Sequence, residues 1–183
     1  MYEVEVKARI KDREEVKKKI ESLGFVFSEE LHQVDHIFIP ENLPFPPPIS
    51  TPVLRVRHQN DKHIFTLKIS QSGRQDSLER ELEIGDGEMM IEIIKLLKWQ
   101  KVPTVDKKRI KAKLNDIEIV LDEVKDLGHF IEAEKIVLNE DSQERLKIQD
   151  ELCSFLETIG VSKEDLLVNH KYDIMLFEKK GIE

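Results

Sequence analysis

Cysteine is nearly absent: Cys153 stands alone among 183 residues, so no internal disulfide can form and the chain fits a reducing compartment. Its apolar helical neighbourhood gives it the role of a small packing residue. No run of roughly 18 uninterrupted apolar residues occurs, which leaves no candidate for a membrane-spanning helix. A charged segment begins at Glu3 with no apolar leader before it, so the expectation is a soluble, cytoplasmic protein with no membrane partner. Two motifs are missing as well, the Gly-rich loop of P-loop phosphate sites and the nucleophile elbow of hydrolases. Excess positive charge is lacking too. The net charge of -8 argues against a nucleic acid partner, because coating a duplex depends on clustered Lys and Arg that release counterions. Glycine is scarce, at seven residues, and together with abundant Lys and Glu this is compatible with a thermophilic source.

What the chain does have is charge inside a globular composition: 36% charged residues beside 39% hydrophobic ones, too many aliphatics for disorder. The length suits one domain spanning 1–183. Helices are expected where the apolar period is 3.6. The first starts at Asp12, with Glu15 at capping-box spacing, and stops at Gly24. A second covers roughly Glu88 to Trp99, and a third runs from about Ser142 to Ile159 after Asp141, stopped by Gly160. A short turn follows Ser162, and HKYDIMLFEKK, 170–180, forms a last helical segment against the body. Between the helices the period is two, which predicts eight strands: 2–10, 33–39, 53–59, 62–70, 77–84, 105–114, 116–124 and 129–137. Two pairs read as hairpins turning at Asn60-Asp61 and Asn115-Asp116, so neighbours run antiparallel. Segment 40–52 holds six of the seven prolines and must be a loop, either a stiff connector or a rim over a site.

The polar faces of these strands are sorted by sign. Glu79, Glu81 and Glu83 line one, Lys107, Arg109, Lys111 and Lys113 another; Arg55 and Arg57 share a third, while Glu132 and Glu134 share a fourth. An open sheet with a solvated face has no reason to separate its charges this way, since solubility favours interspersed signs. A closed barrel does, if the ionic faces enclose a wet lumen and the apolar faces lie beneath external helices. The fold expected is therefore α+β, an eight-stranded antiparallel β-barrel, or tunnel, with a charged lumen and helices packed outside.

A lumen carrying many carboxylates and many cations suits polyphosphate with a divalent metal. Mg2+ or Mn2+ takes hard oxygen donors and keeps substrate phosphate oxygens in its shell. Arg binds phosphate through its bidentate fork and Lys as a point charge. The six histidines do not compose a zinc set, lacking cysteine partners and suitable intervals. KKRIKAK alternates, which makes it one wall of the tunnel rather than a nucleic-acid patch.

Taken in order, the E-x-E-x-K of Glu3, Glu5 and Lys7, LRVR at 54–57, TLK at 66–68, ERELEI at 79–84, KKR at 107–109 and LDEVKDLGHFIEAE at 121–134 resemble the CYTH superfamily. These triphosphate tunnel metalloenzymes include class IV adenylyl cyclases (CyaB-type), thiamine triphosphatases and inorganic triphosphatases. The resemblance runs from residue 2 to about 175. It implies that Glu3, Glu5, Glu132 and Glu134 hold the catalytic metal, with Asp122, Glu81 and Glu83 in or near its shell. It assigns Lys7, Arg55, Arg57, Lys68, Arg109, Lys111 and Lys171 to the triphosphate, and gives Glu3, Glu5, Lys7 and Arg109 the catalytic roles. The implied substrate is ATP, tripolyphosphate or thiamine triphosphate. LGHFIEAE looks closest to the cyclase-like branch, which forms cyclic AMP and pyrophosphate from ATP; triphosphate hydrolysis is the alternative, and a non-catalytic polyphosphate-binding module a third. Pairing of two barrels into a homodimer is compatible with the family.

Overall fold

The computed structural model describes residues 2–138 and 141–181. The strands are β1 (Tyr2–Arg9), β2 (Leu31–Pro40), β3 (Pro52–Gln59), β4 (Lys62–Ser70), β5 (Asp76–Ile84), β6 (Trp99–Lys101), β7 (Val105–Leu114), β8 (Ile117–Val124) and β9 (Gly128–Val137). The helices are α1 (Arg13–Ser22), α2 (Gly87–Leu96), α3 (Ser142–Thr158) and α4 (Tyr172–Lys180). Pairing runs β3-β4-β5-β1-β9-β8-β7-β2, and β2 pairs back to β3, so eight antiparallel strands close into a barrel. The expected eight are all present. Both two-residue hairpins turn where anticipated, with Asn60 and Asn115 at φ of +50° and +54°, a conformation that Asn tolerates better than most side chains.

Side-chain oxygens cap three helices. Asp12 accepts from the backbone N–H groups of Glu14 and Glu15 at 3.0 Å, Asp86 from Met89 at 2.9 Å, and Asp141 from Gln143 at 2.8 Å, satisfying donors that a helix start leaves orphaned. The largest boundary difference is at α2. The expected helix reached Trp99, but Lys98 takes a φ of +64° and the chain turns extended as β6, pairing Trp99 with Pro40 and Lys101 with Phe38. That three-residue strand continues the β7 side of β2 beyond the break at Pro103, where no backbone donor is available.

The main core lies outside the barrel. Val4, Val6 and Ala8 of β1, Ile119 and Leu121 of β8 and Ile131 of β9 pack beneath Ile20 of α1 and Leu152 and Leu156 of α3. Ile91 and Ile94 of α2 cover Phe38 and Val56 on the opposite side. A third cluster corrects the sequence-based picture of a uniformly charged lumen. The inward-facing Ile37, Ile39, Val105 and Phe130 meet Tyr172, Met175 and Leu176 of α4, so one end of the barrel interior is apolar and covered by the C-terminal helix.

Leu152 is completely buried between α3 and the barrel. Leu152→Ala should therefore lower unfolding stability by about 2–5 kcal/mol. Val26, 81% exposed, should tolerate Val26→Ala within about 0.5 kcal/mol. Urea denaturation of the two variants beside the parent measures both.

Candidate active site in the barrel lumen

Strand register dictates which charges meet. Glu5 lies directly opposite Glu134, and Lys7 opposite Glu132, on β1 and β9; Arg57 opposes Asp35 on β3 and β2, and Lys68 opposes Glu79 on β4 and β5. Glu3, Glu5, Lys7, Arg55, Arg57, Lys68, Glu81, Arg109, Lys111, Glu132, Glu134 and Lys171 all line one cavity inside the barrel. The structure thus brings most of the expected site residues together.

Nearly every cation there is matched to an acid. Arg57 donates to both oxygens of Asp35, at 2.6 and 2.8 Å. Arg109 does the same to Asp122, at 2.7 and 2.5 Å, and reaches Glu132 at 2.6 Å. Lys7 stands 3.0 Å from Glu132 and 3.9 Å over the centre of the Tyr172 ring. Lys68 bridges Glu79 and Glu3. Arg55 donates to Thr66 at 3.0 Å and Glu81 at 3.2 Å. Lys111 donates to Glu118 at 2.6 Å.

The acid set of β1 and β9 is the exception. Oxygens of Glu5, Glu132 and Glu134 all lie within 4.8 Å of one another. Glu134 makes no hydrogen bond or ion pair among the described residues, and Glu5 has only Lys7, at 4.0 Å. Burial raises the Glu134 carboxyl well above its ordinary value, and the charges of Glu3 and Glu132 push it further. Burial raises Glu5 as well: its desolvation, helped by the charges of Glu132 and Glu3, outweighs the relief from Lys7 and Lys68. Glu132 is held well below its usual range because Lys7, Arg109 and Lys107 overcome its burial. Three converging carboxylate donors, two of them short of positive charge, fit a hard divalent cation such as Mg2+ or Mn2+.

Four acids that the resemblance assigned to the metal or its shell lie outside this converging group and have cation partners. Glu3 belongs to Lys68, and despite its burial Lys68, Glu79 and Arg55 lower its pKa to about 2. Glu81 accepts from Thr66 and Arg55. Asp122 is wholly buried beneath Arg109 and Lys107, its oxygens taken by them. Glu83 lies at the exposed end of β5, outside the lining, 2.9 Å from Lys62. The converging group is Glu5, Glu132 and Glu134.

Sequence reasoning passed over Asp35, the one acid of β2 and the anchor of Arg57, and Arg74, which lines the cavity and donates to the Pro47 carbonyl at 2.8 Å. It also left Lys107 out of the phosphate set, although the residue shares the inward face of β7 with Arg109. Burial, with Arg109 and Arg57 nearby, lowers Lys107 to about 8. Burial and Lys68 bring Lys171 to about 8 as well, so both lose their protons more readily than an exposed lysine. The proline-rich loop is a rim: Phe45, Pro47, Pro48 and Thr51 line the cavity, and Phe45 packs edge-on against Phe177 of α4, centres 5.0 Å apart. His36, His58 and His63 stack outside the lumen.

Known proteins resemble this chain in sequence and fold. A proposed adenylate cyclase from Methanocaldococcus jannaschii is 31% identical over 169 residues, 91% of this chain and 94% of that protein. The PH1012 protein of Pyrococcus horikoshii OT3 superposes with a TM-score of 0.77 at 33% identity, over 95% of this chain and 98% of its own. A Hippeastrum protein described as a proposed adenylyl cyclase with a dominant triphosphatase activity has a TM-score of 0.57 at 18% identity, over 99% and 96% of the two chains; that likeness is one of fold. Residues 1–169 match the CYTH domain, and with a closed eight-stranded barrel whose ionic residues turn inward, the chain belongs to the CYTH family.

Proposed function

We propose that this protein is a divalent-metal-dependent enzyme that acts on a triphosphate held in the lumen, converting ATP to cyclic AMP and pyrophosphate. The observation that carries the reading is the convergence of Glu5, Glu132 and Glu134 beside Lys7 and Arg109 within one buried cavity. A bound Mg2+ or Mn2+ would be held by those three carboxylates and would neutralise charge on phosphate oxygens. The name of the M. jannaschii relative favours cyclisation. Hydrolysis of the triphosphate, including tripolyphosphate or thiamine triphosphate, is the second reading: each cation named here addresses phosphate oxygens, and none distinguishes attack by a ribose hydroxyl from attack by water.

The chain's own residues divide the remaining work. Arg57 and Arg109 are each held bidentately by one carboxylate, Asp35 and Asp122, so they present a fixed positive wall. Arg55 reaches Glu81 through a single nitrogen and can exchange that acid for phosphate, and Lys171 lines the cavity without an ion pair among the described residues. Preorganised charge of this kind stabilises developing negative charge without rearrangement in the transition state.

Incubation with Mg2+ or Mn2+ and either ATP or tripolyphosphate tests the reading directly: cyclic AMP with pyrophosphate is the expected product pair from ATP. Phosphate release without cyclic AMP would transfer the assignment to hydrolysis, and unchanged ligand would leave a binding module. Glu134→Gln should lower kcat by about a hundredfold or more, as loss of a metal donor removes several kcal/mol of charge stabilisation. Arg55→Ala should raise KM by about tenfold, the scale of one hydrogen bond to a charged group, measured in steady-state kinetics.

Melting temperatures test the metal site apart from turnover. Because the folded pKa values of Glu5 and Glu134 lie above the ordinary 4.5, their contribution to stability is full below about pH 4.5 and is lost as pH rises through the raised values. Without metal at neutral pH, Glu134→Gln should therefore melt no lower than the parent, with the difference vanishing in acid. Mg2+ should raise the melting temperature of the parent and leave that of Glu134→Gln unchanged.

A further inference from the structure

The cations lining the lumen have carboxylate partners, with two exceptions: Arg74 and Lys171 line the same cavity and make no ion pair among the described residues. Arg74 comes from the turn between β4 and β5, and that turn is fixed from several sides. Its backbone N–H donates to the Asn169 side chain at 2.9 Å. The neighbouring Gln75 amide donates to the Leu167 carbonyl at 2.8 Å and accepts from the Asn169 backbone at 3.3 Å. The acid nearest in sequence cannot serve Arg74, because Asp76 is buried with one oxygen held by the Ser72 hydroxyl at 2.6 Å and the other by Arg145 at 2.8 Å. The Arg74 guanidinium donates instead to a neutral acceptor, the Pro47 carbonyl of the proline-rich rim, at 2.8 Å. A carbonyl satisfies one N–H of the fork and leaves the charge uncompensated.

The wall beside this arginine is apolar. Phe45, Pro47 and Val53 line it, and Ile37 and Ile39 continue it along the cavity. A fixed cation set in an apolar surface suits a ligand that is anionic at one point and apolar next to it. A phosphate carrying an organic ester has that character, whereas inorganic polyphosphate leaves the apolar wall unfilled. We propose that Arg74 is a further substrate-binding residue, holding the phosphate nearest the rim so that the organic group esterified to it lies against Phe45 and Pro47. The inference rests on the triphosphate reading of the lumen and adds a direction to it: the organic end faces the rim and α4, and the free end of the phosphate chain points away from them.

Calorimetric titration of the full chain in Mg2+ tests this with two inert probes, tripolyphosphate and ATP in which methylene groups replace the bridging oxygens between phosphorus atoms. These bridges can be neither hydrolysed nor cyclised, so binding is read apart from turnover. Arg74→Gln removes the charge but keeps an N–H donor for the Pro47 carbonyl. It should weaken both probes by about tenfold or more, the scale of a hydrogen bond to a charged group, and Arg74→Lys should recover most of the loss. Phe45→Ala should weaken the ATP probe by about tenfold, the scale of one stacked base, and leave the tripolyphosphate probe unaffected, which also reports that the lumen is intact. Arg74→Gln binding both probes as tightly as the parent would reduce Arg74 to a fastener of the rim, and Phe45→Ala weakening both alike would take the organic end away from it; either result overturns the proposal. A parent that binds neither probe would overturn the triphosphate reading itself, and this inference with it.

Discussion

Charge placed inside a closed barrel must be balanced locally, and the rest of this structure follows from that requirement. Closure turns one face of every strand away from bulk water, where an unpaired ionised group costs several kcal/mol. The lumen meets the demand by register: Arg57 lies across from Asp35, Arg109 from Asp122, Lys7 from Glu132 and Lys68 from Glu79. Each is a direct cross-strand pair, so the hydrogen-bond ladder that builds the wall also neutralises it. A slip of one residue in any strand would turn its charges into the outer apolar layer and its aliphatics into the lumen. The ionic lining therefore specifies the register as strongly as the external core does.

That logic also explains how much was legible beforehand. Strict alternation from Tyr2 to Ile10 and from Arg109 to Leu114 revealed inward and outward faces, and the Asn-Asp turns revealed the neighbours, which together determine a barrel. The apolar end of the lumen was not legible by alternation. Ile37, Phe38 and Ile39 form an unbroken apolar run because β2 is buried on both sides there, by α4 within and α2 without. A period of two disappears when both faces are covered. Motif position groups Glu3, Glu81, Glu83 and Asp122 with the metal donors, and in the structure each of them also has a cation of its own, Lys68, Arg55, Lys62 and Arg109 in turn. The end of α2 was misjudged because Leu97, Lys98 and Trp99 continue an apolar-basic pattern without a glycine, and only Lys98 in the left-handed region ends the helix.

The two ends of the interior differ in kind. At one, α4 and the proline-rich rim meet apolar strand residues, and Phe45 with Phe177 joins loop to helix. Toward the other, Glu81, Lys111 and Glu118 become accessible to water. The converging carboxylates lie between, at the depth where β1 and β9 face each other. Such polarity would orient a bound elongated anion along the barrel, its charge attracted by the cations of the middle.

Against this background of matched pairs, the poor compensation of Glu5 and Glu134 acquires meaning. The same strands that give Glu132 both Lys7 and Arg109 leave Glu134 with no partner among the described residues. A lysine at a neighbouring inward position would have relieved the repulsion, as Lys68 does for Glu3 and Glu79. Retaining an unfavourable acid pair inside an otherwise balanced lumen makes sense if the missing charge arrives from outside, and a divalent cation carries the sign, size and oxygen preference that the gap requires. Affinity for such a cation would depend on the folded register, because the cross-strand pairing of β1 with β9 is what brings Glu5, Glu132 and Glu134 within reach of one ion. Binding and folding would thereby be coupled through one strand pair.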